Sequence, residues 1–282
     1  MITTSRKRRR TKNFIVLTII ILGALPMLFP FYWQITTSLK SPNQISQWPP
    51  TWFPWPLHFE NYQELAEQVP LLNYLKNSVL IVSLVVIGTV SSCSFAAYAF
   101  ARLNFPGRSF IFLTLISAII IPSFALLIPQ FIIYQKIGWY DTFYPLIVPA
   151  FFGNAFYIFL LRQYFMGIPR AVEDAARIDG AGFLRTFLYI ILPMSKPALV
   201  TVAVFTFVST WNDFSGPLIF LTDDNKFTMP IGLIFFQGSP RSASQTHLLM
   251  AMSVLLAAPC VILYFIAQRA FMRGITLGGV NR

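Results

Sequence analysis

Charge is scarce in this sequence: 11% of its 282 residues are Asp, Glu, Lys or Arg, and only 10 are acidic. Soluble domains carry roughly 25% charged residues, so an ordinary water-soluble fold is excluded. Cysteine is nearly absent as well. Cys93 and Cys260 both lie inside apolar runs, which suggests neither a disulfide framework nor a metal site. His58 and His247 stand far apart without metal-ligand spacing. There is no G-x-x-x-x-G-K-[ST] phosphate loop, and the polar insertions are too short for a nucleotide-binding domain. No Ser, His and Asp set or paired acids stand out. The chain alone is therefore expected to be no enzyme and to hold no metal.

What is present is apolar: 56% of the residues are hydrophobic and the mean hydropathy is +0.63. That composition predicts an all-α integral membrane protein. The net charge of +11 does not point to nucleic acid, because the basic residues fall in short gaps between apolar runs rather than among exposed aromatics. Runs at 14–38, 79–101, 110–134, 144–164, 197–221 and 247–271 suit spans of about 20 residues, giving six transmembrane helices. Pro26, Pro30, Pro122, Pro129, Pro149 and Pro217 lie within them, which membrane helices tolerate when neighbours or waters satisfy the freed carbonyls. The basic stretch SRKRRRTK precedes the first run, which is longer than the roughly 7 to 15 apolar residues of a signal peptide and lacks a small-residue cleavage site. It is expected to be retained as a span. The whole chain, 1–282, is expected to form one membrane domain, with a basic tail at 1–13, six helices over 14–271 and a tail at 272–282.

Orientation follows from counting Lys and Arg on alternate sides. With the N-terminus inside, 16 of the 21 fall on inner segments and only Lys40, Lys76, Lys136, Lys226 and Arg241 on outer ones. The positive-inside rule then places both termini and the 167–196 loop in the cytoplasm. The outer segment 40–75 holds six prolines with Trp48, Trp52 and Trp55, as expected of a rigid aromatic segment at the headgroup level; anchoring and ligand recognition both suit it. Residues 223–246 form a second outer loop with an apolar centre. Trp211, Asn212 and Asp213 lie deep in the fifth run, where an ionisable group is costly unless it faces water, protein or a substrate. The trio suits a sugar, ring under its C–H face and polar groups on its hydroxyls, and equally a structural hydrogen bond at a helix end. Asn154 and Gln130 receive the same double reading. Arg162 is expected to snorkel from the inner end of the fourth run.

The most ordered polar segment is 173–193. Val172, Ala175, Ala176 and Asp179 share helical spacing, giving a short helix with a small, close-approach face. Pro169 suits its start and Gly180 the position just past its end. A second helix is expected from Gly182, striped by Phe183, Phe187, Leu188 and Ile191, and ended or kinked at Pro193 and Pro197.

Asp174, Ala175, Ala176, three residues, Gly180, nine residues, then Ile190, Ile191, Leu192 and Pro193 is similar to the EAA loop of ABC importer permeases, E-A-A-x3-G-x9-I-x-L-P. The one departure is Asp174 for Glu, with Glu173 beside it but roughly 100° around the helix. FENYQEL, KNSVLIVS, AAYAFARLNFPGRS and WNDFSGPLIFL extend the resemblance to the maltose-type, carbohydrate-importing branch. It implies a type I importer permease in the cytoplasmic membrane of a bacterium or archaeon. The partners it implies are a second homologous permease, two cytoplasmic ATPases carrying ATP and Mg, and an extracytoplasmic solute-binding protein, with membrane lipid around the chain. Glu173, Asp174, Ala175, Ala176, Arg177, Asp179, Gly180, Leu192 and Pro193 would belong to the loop that couples to the ATPase, its first helix seated in an ATPase cleft. Trp211, Asn212, Asp213 and Asn154 are the candidate substrate pathway. A glycerol phosphate is the alternative solute for the same machinery. An ion-coupled secondary transporter is the alternative machinery, but it would need intramembrane acids or histidines, and only Asp213 qualifies.

Overall fold

The computed structural model describes residues 2–238 and 245–277, and no strand occurs among them. Helix is the physical default here, because a chain in lipid must satisfy its backbone polar groups within each segment. In chain order the helices are α1 (Ile2–Ser38), α2 (Pro42–Ser46), α3 (Glu60–Gln68), α4 (Leu71–Arg102), α5 (Arg108–Ser117) and α6 (Ser123–Lys136). Next come α7 (Tyr144–Ile147), α8 (Ala155–Met166), α9 (Arg170–Ile178), α10 (Phe183–Thr186), α11 (Leu192–Met194) and α12 (Lys196–Trp211). The last are α13 (Ser215–Phe220), α14 (Met229–Gly238) and α15 (Thr246–Leu277).

Four helical stretches are long and apolar enough to cross a membrane alone: Lys12–Ser38, Leu71–Arg102, Tyr144–Met166 and Thr246–Gln268. Two bent pairs bring the number to six, Arg108–Ile120 with Phe124–Lys136 at 104° and Phe183–Met194 with Lys196–Trp211 at 77°. Six spans are thus present when each bent pair counts as one. The structure departs from six plain rods where local chemistry breaks the helix. In the third, Pro122 forces Ile121 out of helical geometry (ψ 120°) and the chain turns. The fourth is interrupted at Gly153 (φ 91°), after a 3-10 stretch Val148–Phe152. The fifth ends as α12 at Trp211, not at 221, and the short α13 follows. The two segments expected on the outer side also carry helices, α2 and α3 in the first and α14 in the second.

The residues group into two compact units. One comprises the chain up to Val69 together with Leu233–Ala258. Here Ser41 and Gln44 form a capping box that starts α2, satisfying two orphan N–H groups at once. Trp33, Phe29 and Trp52 pack ring against ring, and Lys40, itself buried, holds its ammonium 4.0 Å above the Trp33 ring. Trp48 and Trp55 stay exposed, which suits anchoring and ligand recognition alike.

The other unit, Pro70–Gly232 with the residues from Pro259 on, is organised by α4, which packs along α8 and α12. Tyr98, Phe165, Phe187, Ile191 and Val202 form its buried core. Gly88 lets α4 approach the 148–152 turn so closely that a Cβ there would lie 2.8 Å from the Phe151 ring.

One end of this unit is closed by a polar clasp. Asp141, in left-handed conformation (φ 56°), accepts hydrogen bonds from the Thr222 and Asp223 N–H groups and from Lys226 Nζ at 2.6 Å. Asn77 Nδ2 donates to the carbonyls of Asn225 and Phe227, tying the same 222–227 strip to α4. The Lys226 hydrogen bond, with those backbone donors, pulls the Asp141 carboxyl down to about 2 from its ordinary 3.8. A depressed carboxylate contributes its stability above its unfolded value and loses it as pH falls through the folded one. On its carboxylate side the clasp should therefore be complete above about pH 4 and be lost between about 4 and 2. Lys226→Met removes the largest cause, so the Asp141 midpoint should rise toward its unfolded value in a carboxyl 13C titration; an unmoved midpoint contradicts this assignment.

Candidate functional site

Two places carry polar chemistry that the fold does not need for spanning lipid. The first is the 167–196 loop. Pro169 precedes α9, and beyond its last residue Gly180 adopts φ 77°. There the Ala181 N–H reaches the Ala176 carbonyl at 2.9 Å and the Gly180 N–H the Arg177 carbonyl at 3.0 Å, the two bonds of a Schellman stop. No side chain crowds Gly180, so its conformation alone selects glycine. Gly180→Val should cost upwards of about 1–2 kcal/mol in backbone strain and misalign α9 against α10. Its readout is a lower melting temperature of the chain with no contact residue changed; a parental melting curve contradicts it.

From Gly182 the chain re-enters helix as α10, widens into a π turn over Phe187–Ile191, and passes through α11. Phe187 and Ile191 are fully buried, whereas Phe183 and Leu188 stay partly exposed. Tyr98 of α4 stacks on both Phe183 and Phe187, at 4.9 and 4.8 Å between centroids. Leu192 is half-buried against the core and Pro193 is exposed just before the 77° bend. So the prolines kink the junction rather than end the helix.

The structure divides the small face of α9. Glu173 and Ala176 turn toward their own chain and are 6% and 4% exposed, with Val172 half-buried. Ala171, Asp174, Ala175, Arg177, Ile178 and Asp179 face outward, Ile178 at 87%. Asp174, at the position of the motif's Glu, meets only Arg177 one turn on, at 3.9 Å. Glu173 instead forms a 2.7 Å ion pair with Arg102 Nε at the end of α4, both side chains almost inaccessible. Arg102 also donates through Nη2 to the carbonyls of Phe165 and Ile168, at 2.7 and 2.5 Å. In return Arg162 of α8 donates to the Phe100 carbonyl at 3.1 Å and lies 4.2 Å over the Phe112 ring. Each of α4 and α8 thus has orphan C-terminal carbonyls capped by an arginine of the other, where cations also suit the helix dipoles.

The second place is a cavity of about 410 Å³ in the same unit, inside the roughly 300–1,000 Å³ usual for ligand sites. Trp211, Asp213, Gln130, Tyr134, Thr210 and Ser78 are among its polar lining residues, and among the described residues neither Lys nor Arg lines it. Trp211 stacks parallel on Phe207 with centroids 5.7 Å apart and is 1% exposed, so it is a wall rather than a free platform. Asp213 Oδ1 accepts from the Gly216 N–H at 3.1 Å, and a Cβ on residue 216 would come within 2.6 Å of Oδ2. Of the expected pathway residues, Trp211 and Asp213 meet here. Asn212 does not line the cavity: its amide donates to the Val208 carbonyl at 2.8 Å and contacts Cys260 Sγ at 3.7 Å. Asn154 is elsewhere too, as the N-cap of α8, accepting from the N–H groups of Phe156 and Tyr157. Sequence reasoning missed Arg102 and Tyr98 as parts of the loop's support and Tyr134 and Thr210 as cavity wall. An Asn directly before an apolar helical run was, in hindsight, a cap signal.

Comparison with known proteins bears on the chain as a whole. Residues 92–277 match the family described as binding-protein-dependent transport system inner membrane component. The chain is 34% identical over 279 residues to the trehalose/maltose transport system permease protein MalG of Thermococcus litoralis, covering 96% of this chain and 97% of that one. It is 31% identical over 279 residues to the melibiose/raffinose/stachyose import permease protein MelC of Bacillus subtilis, covering 96% and 98%. Among solved structures, a bacterial ABC transporter involved in the import of the acidic polysaccharide alginate aligns with a TM-score of 0.80 and 24% identity, over 92% of this chain and 97% of that chain, a likeness of fold. With a helix–turn–helix loop held against a six-span apolar chain, and with these matches, the protein belongs to the binding-protein-dependent transport system inner membrane components.

Proposed function

We propose that this multi-pass chain is the permease subunit of an ATP-driven importer for a sugar or oligosaccharide, working by alternating access. A second permease, two ATPase subunits that bind ATP and Mg, and an extracytoplasmic binding protein complete it, in a cytoplasmic membrane with both termini of this chain inside. This chain itself carries no cofactor. The observation that carries the proposal is α9, gripped on one face by its own chain and bare on the other, as a helix must be to receive a push from a separate ATPase. The relatives named for trehalose, maltose and raffinose support a carbohydrate. The cavity supports it independently: hydroxyl and amide groups with one carboxylate suit a neutral polyol. A glycerol phosphate would find no Lys or Arg there to pair its charge.

The test is uptake into proteoliposomes bearing the chain with its co-purifying subunits, using labelled maltose, raffinose and glycerol 3-phosphate. Sugar uptake should require enclosed ATP; uptake driven by an ion gradient alone would overturn the ATP reading, and preference for glycerol 3-phosphate the sugar reading. For orientation, Ser5→Cys should be shielded from an impermeant thiol reagent in intact cells, while Ser242→Cys should react. Ser242 lies outside the described residues, so Asp224→Cys, exposed beside the clasp, serves as a second outer probe. The reverse labelling would overturn the placement of both termini.

A further inference from the structure

We infer that Arg102 is the positioning residue through which displacement of α9 is passed to α4, and so to the cavity. The inference rests on the ATP-driven reading above and deepens it. Only two residues of α9 are buried, Glu173 and Ala176, and Ala176 offers a single methyl group. The polar grip on the helix is therefore Glu173, on the side away from Asp174, Ala175 and Ile178. Its partner guanidinium gathers three segments at one point: the end of α4 that carries it, the end of α8 through the Phe165 and Ile168 carbonyls, and the middle of α9 through Glu173. Ile168 immediately precedes Pro169, where α9 is launched, so the contact also fixes the helix's point of departure.

What lies beyond the grip gives it a direction. The α4 helix is unbroken over 32 residues, with no proline inside it, and is about 48 Å long at 1.5 Å per residue. Arg102 sits at one end, and Ser78, Ile81 and Val82 near the other line the cavity. Ser78 Oγ there accepts the Met229 N–H at 2.9 Å. A continuous helix moves as one piece, whereas the covalent route from α9 to α12 passes through a π turn and a 77° bend that absorb motion. Burial makes the link costly to break, because losing either partner leaves the other charge uncompensated where water barely reaches. A link of this kind counts as coupling only if a two-state output responds to it, and import per ATP is such an output.

The experiment uses the complete reconstituted complex and measures solute imported per ATP hydrolysed, with co-purification of the ATPase as the check on assembly. Arg102→Gln keeps hydrogen-bond donors but removes the charge. It should still assemble and should import about tenfold less solute per ATP, within the usual range of coupling between sites. Arg102→Lys keeps the charge but not the fork, and should fall between that variant and the parent. A merely structural residue would lower the amount of complex while leaving the ratio unchanged. A parental ratio in Arg102→Gln overturns the inference, as does a parental ratio in Arg102→Lys if the Gln variant does not assemble. If the parent complex itself imports without ATP, the proposed function fails instead, which separates the two failures.

Discussion

Ile178→Asp is expected to remove most binding-protein-stimulated ATP hydrolysis while leaving the chain folded. Ile178 is the last residue of α9 and 87% exposed, on the face that also bears Asp174 and Ala175 at helical spacing. An isoleucine bared at the end of a short polar helix would act as an interface anchor if α9 docks in a partner's cleft, as the proposed function requires. Truncating such anchors costs about 2 kcal/mol or more, a fall in association on the order of 30-fold. Ala176→Phe is the contrasting variant. Ala176 is 4% exposed and turned into its own chain, so a larger ring there overpacks the loop at about 1–3 kcal/mol. Its effect should appear as lowered thermal stability of the chain, not as selective loss of the ATPase. Co-purification and stimulated hydrolysis, read beside a melting curve, separate the two. Parental hydrolysis in Ile178→Asp would show that the outward face of α9 meets nothing.

The second large effect is expected at the cavity. Asp213→Asn keeps an oxygen for the Gly216 N–H, so that N–H stays paired, but it withdraws the one carboxylate that lines the cavity among the described residues. Hydrogen bonds to a charged group contribute about 1.5–3 kcal/mol, so sugar uptake should fall roughly 10- to 100-fold. Stimulated ATP hydrolysis should fall less, because the loop is untouched. Asp213→Ala should add a stability loss of about 1 kcal/mol from the lost hydrogen bond to the Gly216 N–H. If Asp213→Asn imports like the parent while Asp213→Ala is destabilised, the carboxylate pairs the Gly216 N–H and does nothing more.

The spans were legible because lipid imposes one length and one composition on every crossing. The loop was legible because its stop is local: a Schellman turn needs a glycine at one position and tells of it in the sequence. Bends were only half legible. Pro122 and Pro193 announce an interruption, but the 104° and 77° angles depend on packing that no proline encodes. Asn212 and Asp213 read as one pair in sequence, yet α12 ends between Trp211 and them, so one amide turns back on its helix while the carboxylate turns to the cavity. Arg102 was invisible for a different reason. In sequence it is one more cation at an inner helix end, and its partner lies beyond two further spans.

The α1 helix carries a consequence of its own. Within its spanning window no residue is buried by the described chain, and Phe14, Ile19, Ile20, Leu22 and Met27 are each more than half exposed around it. Packing by its own chain is confined to the end of the helix, where Phe29 and Trp33 meet Trp52 and where Thr36, Thr37 and Ser38 are buried, so over the rest of its length its setting is left to neighbouring chains and lipid. Tolerance to substitution along α1 becomes a census of those neighbours: positions that accept any apolar side chain face fluid lipid, and positions that reject a change in shape mark where another protein stands.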